Sequence, residues 1–156
     1  MPLEIERKFL VRGDDWRTRG VGMPYRQGYL STTPERSVRV RQVRDKGYLT
    51  IKGITVGATR AEYDYEIPAD EAGELLDNLC ERPLIEKTRY RVECHGLTWE
   101  IDEFEGDNAG LIVAEVELEK EDQEIVLPDW VGEEVTGDPR YYNARLVTNP
   151  YTQWAR

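Results

Sequence analysis

What limits this chain most is a succession of short segments that alternate in residue type with period two. Residues 3–11, 26–32, 36–44, 47–53, 60–67, 85–95, 97–104 and 111–119 alternate or are rich in Val, Ile, Tyr and Thr. That is the pattern of strands, whose successive side chains point to opposite faces. Turn signals separate them at Thr33-Pro34, Asp45-Lys46-Gly47, His95-Gly96 and Glu105-Gly106-Asp107-Asn108. Consecutive strands at hairpin-like spacing predict an antiparallel meander or barrel. Two segments read as helix. In 70–82, Ala72, Leu75, Leu76 and Leu79 recur at helical spacing, with Asp70 as N-cap and Pro83 as a stop. A second helix begins at Asp138-Pro139 and runs to about Leu146. Residues 13–20 read as a short helical turn. The class is β-rich α+β, one domain over residues 1–156.

The strand faces are unusual in their charge. Glu4, Glu6 and Lys8 share a face, opposite Ile5 and Phe9, with Arg7 left over as a surface residue. Arg39 and Arg41 share a face, as do Glu62, Asp64 and Glu66. Lys87, Arg89 and Arg91 form another such set, and Glu115, Glu117 and Glu119 a last one. Lys52 stands opposite Ile51, and Asp102 opposite Ile101. Any one of these faces, taken alone, reads as solvated. Together they are sorted by sign, strand by strand, although like charges two apart on one face repel and a surface selected for stability mixes signs. Charged residues make up 33% of the 156, more than the usual quarter or so, which requires a place for the excess. Sorting is useful where the faces converge on a ligand that is itself highly anionic and carries divalent cations. Arg and Lys grip phosphate oxygens, and carboxylates supply oxygen ligands to hard cations. A triphosphate with Mg²⁺ or Mn²⁺ is such a ligand, and a closed barrel offers inward positions at every second residue.

The order of these motifs is similar to that of the CYTH superfamily, the triphosphate tunnel metalloenzymes. Glu4-x-Glu6-x-Lys8 resembles its N-terminal signature. Arg39-Val40-Arg41, Lys52, Glu62, Glu86-Lys87-Thr88-Arg89-Tyr90, Asp102 and Glu115-Val116-Glu117 follow in matching order. The short length resembles the bacterial inorganic triphosphatase branch. The resemblance implies an eight-stranded antiparallel barrel forming a tunnel, with flanking helices. It implies that Lys8, Arg39, Arg41, Lys52, Lys87 and Arg89 hold the triphosphate. Glu115 and Glu117 would ligate a Mg²⁺ or Mn²⁺ ion, and Glu4 and Glu6 would hold a second or orient the attacking water, making Glu4, Glu6 and Lys8 catalytic. Glu62 and Asp102 would ligate or support either metal. Tyr141-Tyr142-Asn143 resembles a segment that plugs one end of the barrel.

Other residues are weighed against this frame. Tyr29 is core, or else turns its hydroxyl into the tunnel. Arg91, Glu66 and Glu119 read as tunnel mouth or solvated surface. His95, the sole histidine, reads as an exposed turn residue, and the chemistry expected here needs no histidine base. Cys80 and Cys94 match no disulfide or zinc framework and read as reduced structural thiols in a cytoplasmic protein. The net charge of −10 opposes nucleic-acid binding. The chain has no apolar run long enough to span a membrane, no basic-then-apolar leader at Met1-Pro2-Leu3-Glu4, no P-loop and no HExxH. The expected partner is a small triphosphate, and a homodimer is compatible with the sequence. Adenylate cyclase, thiamine triphosphatase or nucleoside triphosphatase activity on the same tunnel is the rival, followed by a polyphosphate- or nucleotide-binding module. A plain barrel with a charged exterior is the remaining option.

Overall fold

The computed structural model describes residues 2–154. Met1 and residues 155–156, the ends of the domain expected over 1–156, lie outside the described residues. Nine strands form: β1 Leu3–Val11, β2 Gly22–Ser31, β3 Ser37–Val43, β4 Lys46–Lys52, β5 Thr59–Ile67, β6 Ile85–Cys94, β7 Leu97–Phe104, β8 Ile112–Glu117 and β9 Val131–Glu134. They order as β5-β4-β3-β2-β6-β7-β8-β1-β9, all antiparallel, and β5 also pairs with β1. That last pairing closes an eight-stranded barrel and leaves β9 outside it. Two helices are α1, Ala69–Asn78, and α2, Asn143–Thr148.

Three apolar clusters divide the labour. Phe9, Trp16, Trp99, Ile101, Val116 and Trp130 form the largest, on the outer faces of β1, β7 and β8. The short helical turn Asp15–Thr18 drops Trp16 into it, fully buried, as the reading of 13–20 anticipates. The second joins α1 to the sheet through Val40, Ala72, Leu76 and Cys80. Gly47 lets the helix approach closely, since a Cβ there would lie 2.6 Å from that of Ala72. The third fills one end of the barrel. Ile85, Phe104 and Val113 lie on the same faces as Lys87, Asp102 and Glu115, and they meet Tyr29, Tyr141, Leu146 and Val147. The interior is thus an apolar floor below and a charged chamber above.

Several boundaries differ from the sequence expectation. β2 starts at Gly22, ahead of residue 26, because pairing with β6 carries Gly22-Met23-Pro24 as strand despite their weak pattern. β9 was not anticipated: four residues with two exposed acids form a strand only by pairing with the second half of β1. Asp70 is not the cap of α1. Pro68 occupies that position, and Asp70 lies in the first turn, where a carboxylate suits the helix dipole. The helix stops at Asn78 rather than 82, and Leu79 is 66% exposed, so it belongs to no core. The C-terminal helix expected from 139 to 146 is broken. Pro139–Tyr141 make one helical turn, Tyr142 is extended, and α2 then runs from Asn143 to Thr148. The side chain of Asp138 does accept the backbone N–H of Arg140 at 3.1 Å.

Candidate active site

The barrel encloses a cavity of about 470 Å³. Glu4, Glu6, Lys8, Arg39, Arg41, Lys52, Glu62, Lys87, Arg89, Glu115 and Glu117 all line it. Strand register brings them together: Lys8 lies across from Glu115, Glu6 from Glu117, and Lys52 from Glu62. The alternation that puts Ile5, Val40, Ile51, Ile101 and Val116 outward puts these charges inward. Arg91 and Tyr29 also line the cavity, and Tyr29 is at the same time part of the apolar floor, as its core reading expects. Glu66 and Glu119 are exposed and off the cavity, as is His95. Arg7 faces outward, as its odd place in the pattern implies, and grips Glu134 with two hydrogen bonds at 2.8 and 2.9 Å.

Asp102 departs from the role set out for it. It is fully buried, does not line the cavity, and has both oxygens occupied. Arg89 donates to them at 2.7 and 2.9 Å, and Lys87 Nζ lies at 2.8 Å. Burial alone would raise its pKa; Arg89 and then Lys87 outweigh this and hold it down at about 2. A carboxylate so engaged anchors two cations from behind and is not presented to the cavity.

The basic wall is crowded. Burial, with Arg39 and Arg89 close by, pulls Arg41 down to about 9. Burial also pulls Lys87 down to about 7, against the opposing pull of Asp102. Lys52 is lowered by burial and by Arg39. The Tyr25 ring separates two of these cations, with the guanidinium carbons of Arg41 and Arg89 each 5.0 Å from its centroid. Arg39 Nε is buried and has no hydrogen-bond partner among the described residues. A buried donor without an acceptor is costly.

The acidic wall shows the converse. Burial raises Glu6 well above the usual carboxylate range, reinforced by Glu115 and Glu4, and Glu6 shares a hydrogen bond with Glu115. Burial raises Glu62 to about 7, helped by its hydrogen bond to Glu4. Burial would raise Glu4 and Glu115, but Lys52, Glu62 and Arg60 together hold Glu4 at about 2, and Lys8, Glu6, Arg89 and Lys87 together hold Glu115 well below its ordinary value. Lys52 Nζ donates to both oxygens of Glu4 at 3.1 and 3.3 Å, and Lys8 Nζ is 3.8 Å from Glu115. Carboxylates held this close together are hard oxygen donors of the kind a divalent cation takes.

Some contributors carry no signal in the one-dimensional pattern. Arg60 pairs with Glu4 at 3.5 Å, and Glu100 with Arg89 at 3.2 Å; both line the cavity. Gln27 is fully buried at the base, donating to Asn143 Oδ1 at 2.7 Å and accepting from Arg41 Nε at 3.2 Å. Asn143 Oδ1 also accepts from Lys87 Nζ at 2.9 Å. The C-terminal segment is thus tied by one amide to the basic wall. Gln27 and Asn143 look like ordinary polar residues until the topology sets them beside buried cations.

A closed barrel whose interior divides into a cationic and a carboxylate wall defines a tunnel-type site for a polyanion taken with its counter-cations. The chain belongs to the CYTH domain family, whose profile matches residues 2–142. It is 55% identical over 151 residues to an inorganic triphosphatase of Acetivibrio thermocellus, covering 97% of each chain. It is 42% identical over 150 residues to an inorganic triphosphatase of Nitrosomonas europaea, covering 92% of this chain and 96% of that one. The crystal structure of an inorganic triphosphatase superposes with a TM-score of 0.65 at 36% identity, covering 92% of this chain and 96% of that one. The family implies a divalent cation as cofactor. The residues present suit one. Glu6 with Glu115, and Glu4 with Glu62, are hard oxygen donors in contact, and a dication in place of a shared proton relieves their repulsion. Among the described residues no three acidic side chains converge ready-made on one point. No helix among the described residues is long and apolar enough to cross a membrane.

Proposed function

We propose that this chain hydrolyses inorganic tripolyphosphate to pyrophosphate and phosphate, with Mg²⁺ or Mn²⁺ as cofactor. The observation that carries this is the sorting of one cavity into two walls of opposite charge, with the buried Arg39 Nε left without a partner on the basic one. Lys8, Arg39, Arg41, Lys52, Lys87 and Arg89 grip the phosphate oxygens, and Asp102 holds Lys87 and Arg89 in place. Glu115 and Glu117 would hold one cation, and Glu62, beside Glu4, would support a second. Glu4 and Glu6 orient the water that attacks the terminal phosphorus. The bound metal supplies charge neutralisation for the phosphoryl group in transit. The new bond joins the water oxygen to the terminal phosphorus as the bridging P–O bond breaks, and the water protons leave to the carboxylate wall and the product phosphates. The whole chain acts as one domain, and the free thiols Cys80 and Cys94 suit the cytoplasm.

The similarity of 55% over nearly the full length favours an inorganic substrate over a nucleotide. A panel of tripolyphosphate, ATP and thiamine triphosphate, read as phosphate release and cyclic nucleotide formation, tests it. Tripolyphosphate should turn over fastest, lose all turnover with excess chelator, and recover it with Mg²⁺ or Mn²⁺. Glu117→Gln should lower kcat by roughly 100-fold, as loss of a metal-holding group does. Cyclic AMP formation without tripolyphosphate turnover would overturn the substrate assignment. Wild-type rates for Glu117→Gln would overturn the metal assignment.

A further inference from the structure

The barrel wall has a seam beside the carboxylates. β1 changes partner midway: Leu3–Ile5 pair with β5, and Phe9 and Val11 pair with β9. Between them β1 faces two loops on that side. Glu6 N reaches the Ala58 carbonyl at 3.0 Å, and Lys8 N reaches Thr136 Oγ1 at 2.9 Å. Gly137 lies in the second loop with φ of +79°, and a Cβ there would have only the Gly57 carbonyl within 4 Å, at 3.9 Å. The two loops therefore approach each other here through backbone alone. A cavity of about 30 Å³ occupies the seam, lined by Glu4, Glu6 and Lys8 on its inner side and by Gly57, Ala58 and Thr136 on its outer side. It lies between the main chamber and an outer cleft of about 500 Å³, and Thr55, Gly137 and Tyr142 line all three spaces. The Tyr142 ring stands at the junction, its centroid 5.6 Å from Lys8 Nζ and 5.8 Å from the Arg60 guanidinium carbon.

We propose that this seam is a side portal that delivers water to the Glu4–Glu6 wall while the substrate fills the main chamber, with Tyr142 as the positioning residue that sets its width. The size fits: about 30 Å³ of water-accessible space exceeds the roughly 10–15 Å³ that one water needs. The wall it opens on is the one assigned to the attacking water, so the inference rests on the triphosphatase reading above. A polyanion gripped by six cations and metal-bound carboxylates obstructs the chamber's own opening to new water, and the seam bypasses it.

The portal can be plugged from outside the chamber. Ala58 lines the seam and the outer cleft but not the main cavity, and Ala58→Cys is a small change. The variant is treated with methyl or benzyl methanethiosulfonate, and wild type is treated in parallel to account for Cys94. Benzyl modification should lower kcat for tripolyphosphate by roughly five-fold or more with KM nearly unchanged, the methyl adduct should lower it less, and dithiothreitol should restore both, a split that marks a step after binding. Full kcat in the benzylated variant, or a rise in KM that accounts for the whole loss, overturns the portal. If the unmodified protein does not turn over tripolyphosphate at all, the triphosphatase reading fails and the portal with it; active protein indifferent to the plug overturns the portal alone.

Discussion

Asp102 shows how a residue's type can be right for two roles and its position right for one. In the sequence it is an acid opposite an apolar neighbour, the same signature as Glu62 or Glu115. One pleat deeper in the barrel, it lies under Lys87 and Arg89 and has no access to the chamber. Removing one partner of such a buried set leaves charge uncompensated. Asp102→Asn is expected to cost about 3–5 kcal/mol at neutral pH, measured by urea unfolding. The pH dependence has a defined sign. The carboxyl of Asp102 is held at about 2 in the folded protein, below its unfolded value of about 3.9, so its stabilisation is complete above the latter and lost as pH falls towards the former. The gap between wild type and Asp102→Asn should therefore narrow as pH is lowered below about 4. A gap that stays constant to pH 3 would mean the stabilisation does not come from the carboxylate charge. Glu4, Glu6 and Lys8, by contrast, were legible as residues, because strict alternation on β1 allows only one face to be apolar.

At the scale of elements, the barrel strands were legible and the pieces that finish it were not. β1 and β3 to β8 follow from period-two patterning, and most of them bury apolar outer residues under α1 or under the Trp16–Trp99–Trp130 cluster, while Tyr63 and Tyr65 of β5 stay exposed. β9 and the extended Tyr142 have no pattern of their own and take their shape from what they dock against. The C-terminal segment is the clearest case. Tyr141, Leu146 and Val147 complete the apolar floor of the barrel, and Asn143 reaches Lys87 and Gln27 just above it. Leu146 is fully buried there. Leu146→Ala should destabilise the protein by about 3 kcal/mol, in the usual range for a buried leucine. Thermal unfolding checks this, and a loss under 1 kcal/mol would mean that α2 is not a structural floor.

For the whole molecule, charge is separated between outside and inside. The chain carries −10 overall, yet the chamber concentrates Lys8, Arg39, Arg41, Lys52, Lys87 and Arg89. An acidic exterior repels an extended polyanion, while a short one that enters the barrel meets cations at low dielectric. An excess of single-stranded oligonucleotide should therefore leave tripolyphosphate turnover unchanged, whereas pyrophosphate should compete. Inhibition by oligonucleotide at equal phosphate concentration would show that the basic wall is reachable from the surface.

The sequence by itself determined the strand count of the barrel, which face of each strand carries charge, and the sign of each face, because side-chain alternation in a strand is local geometry. It therefore pointed to the charged strand residues of the chamber lining, from Glu4 to Glu117, but not to Arg60, Glu100 or the loop and C-terminal residues beside them. Only the tertiary structure decided depth and enclosure: that Asp102 lies behind the cations, that Tyr25 separates Arg41 from Arg89, and that the C-terminus closes the floor. It also placed a gap beside Glu6 where β1 changes partner. Those features depend on strand register and on which loops meet across the barrel, and pairing energy over long separations leaves no periodic trace in the chain.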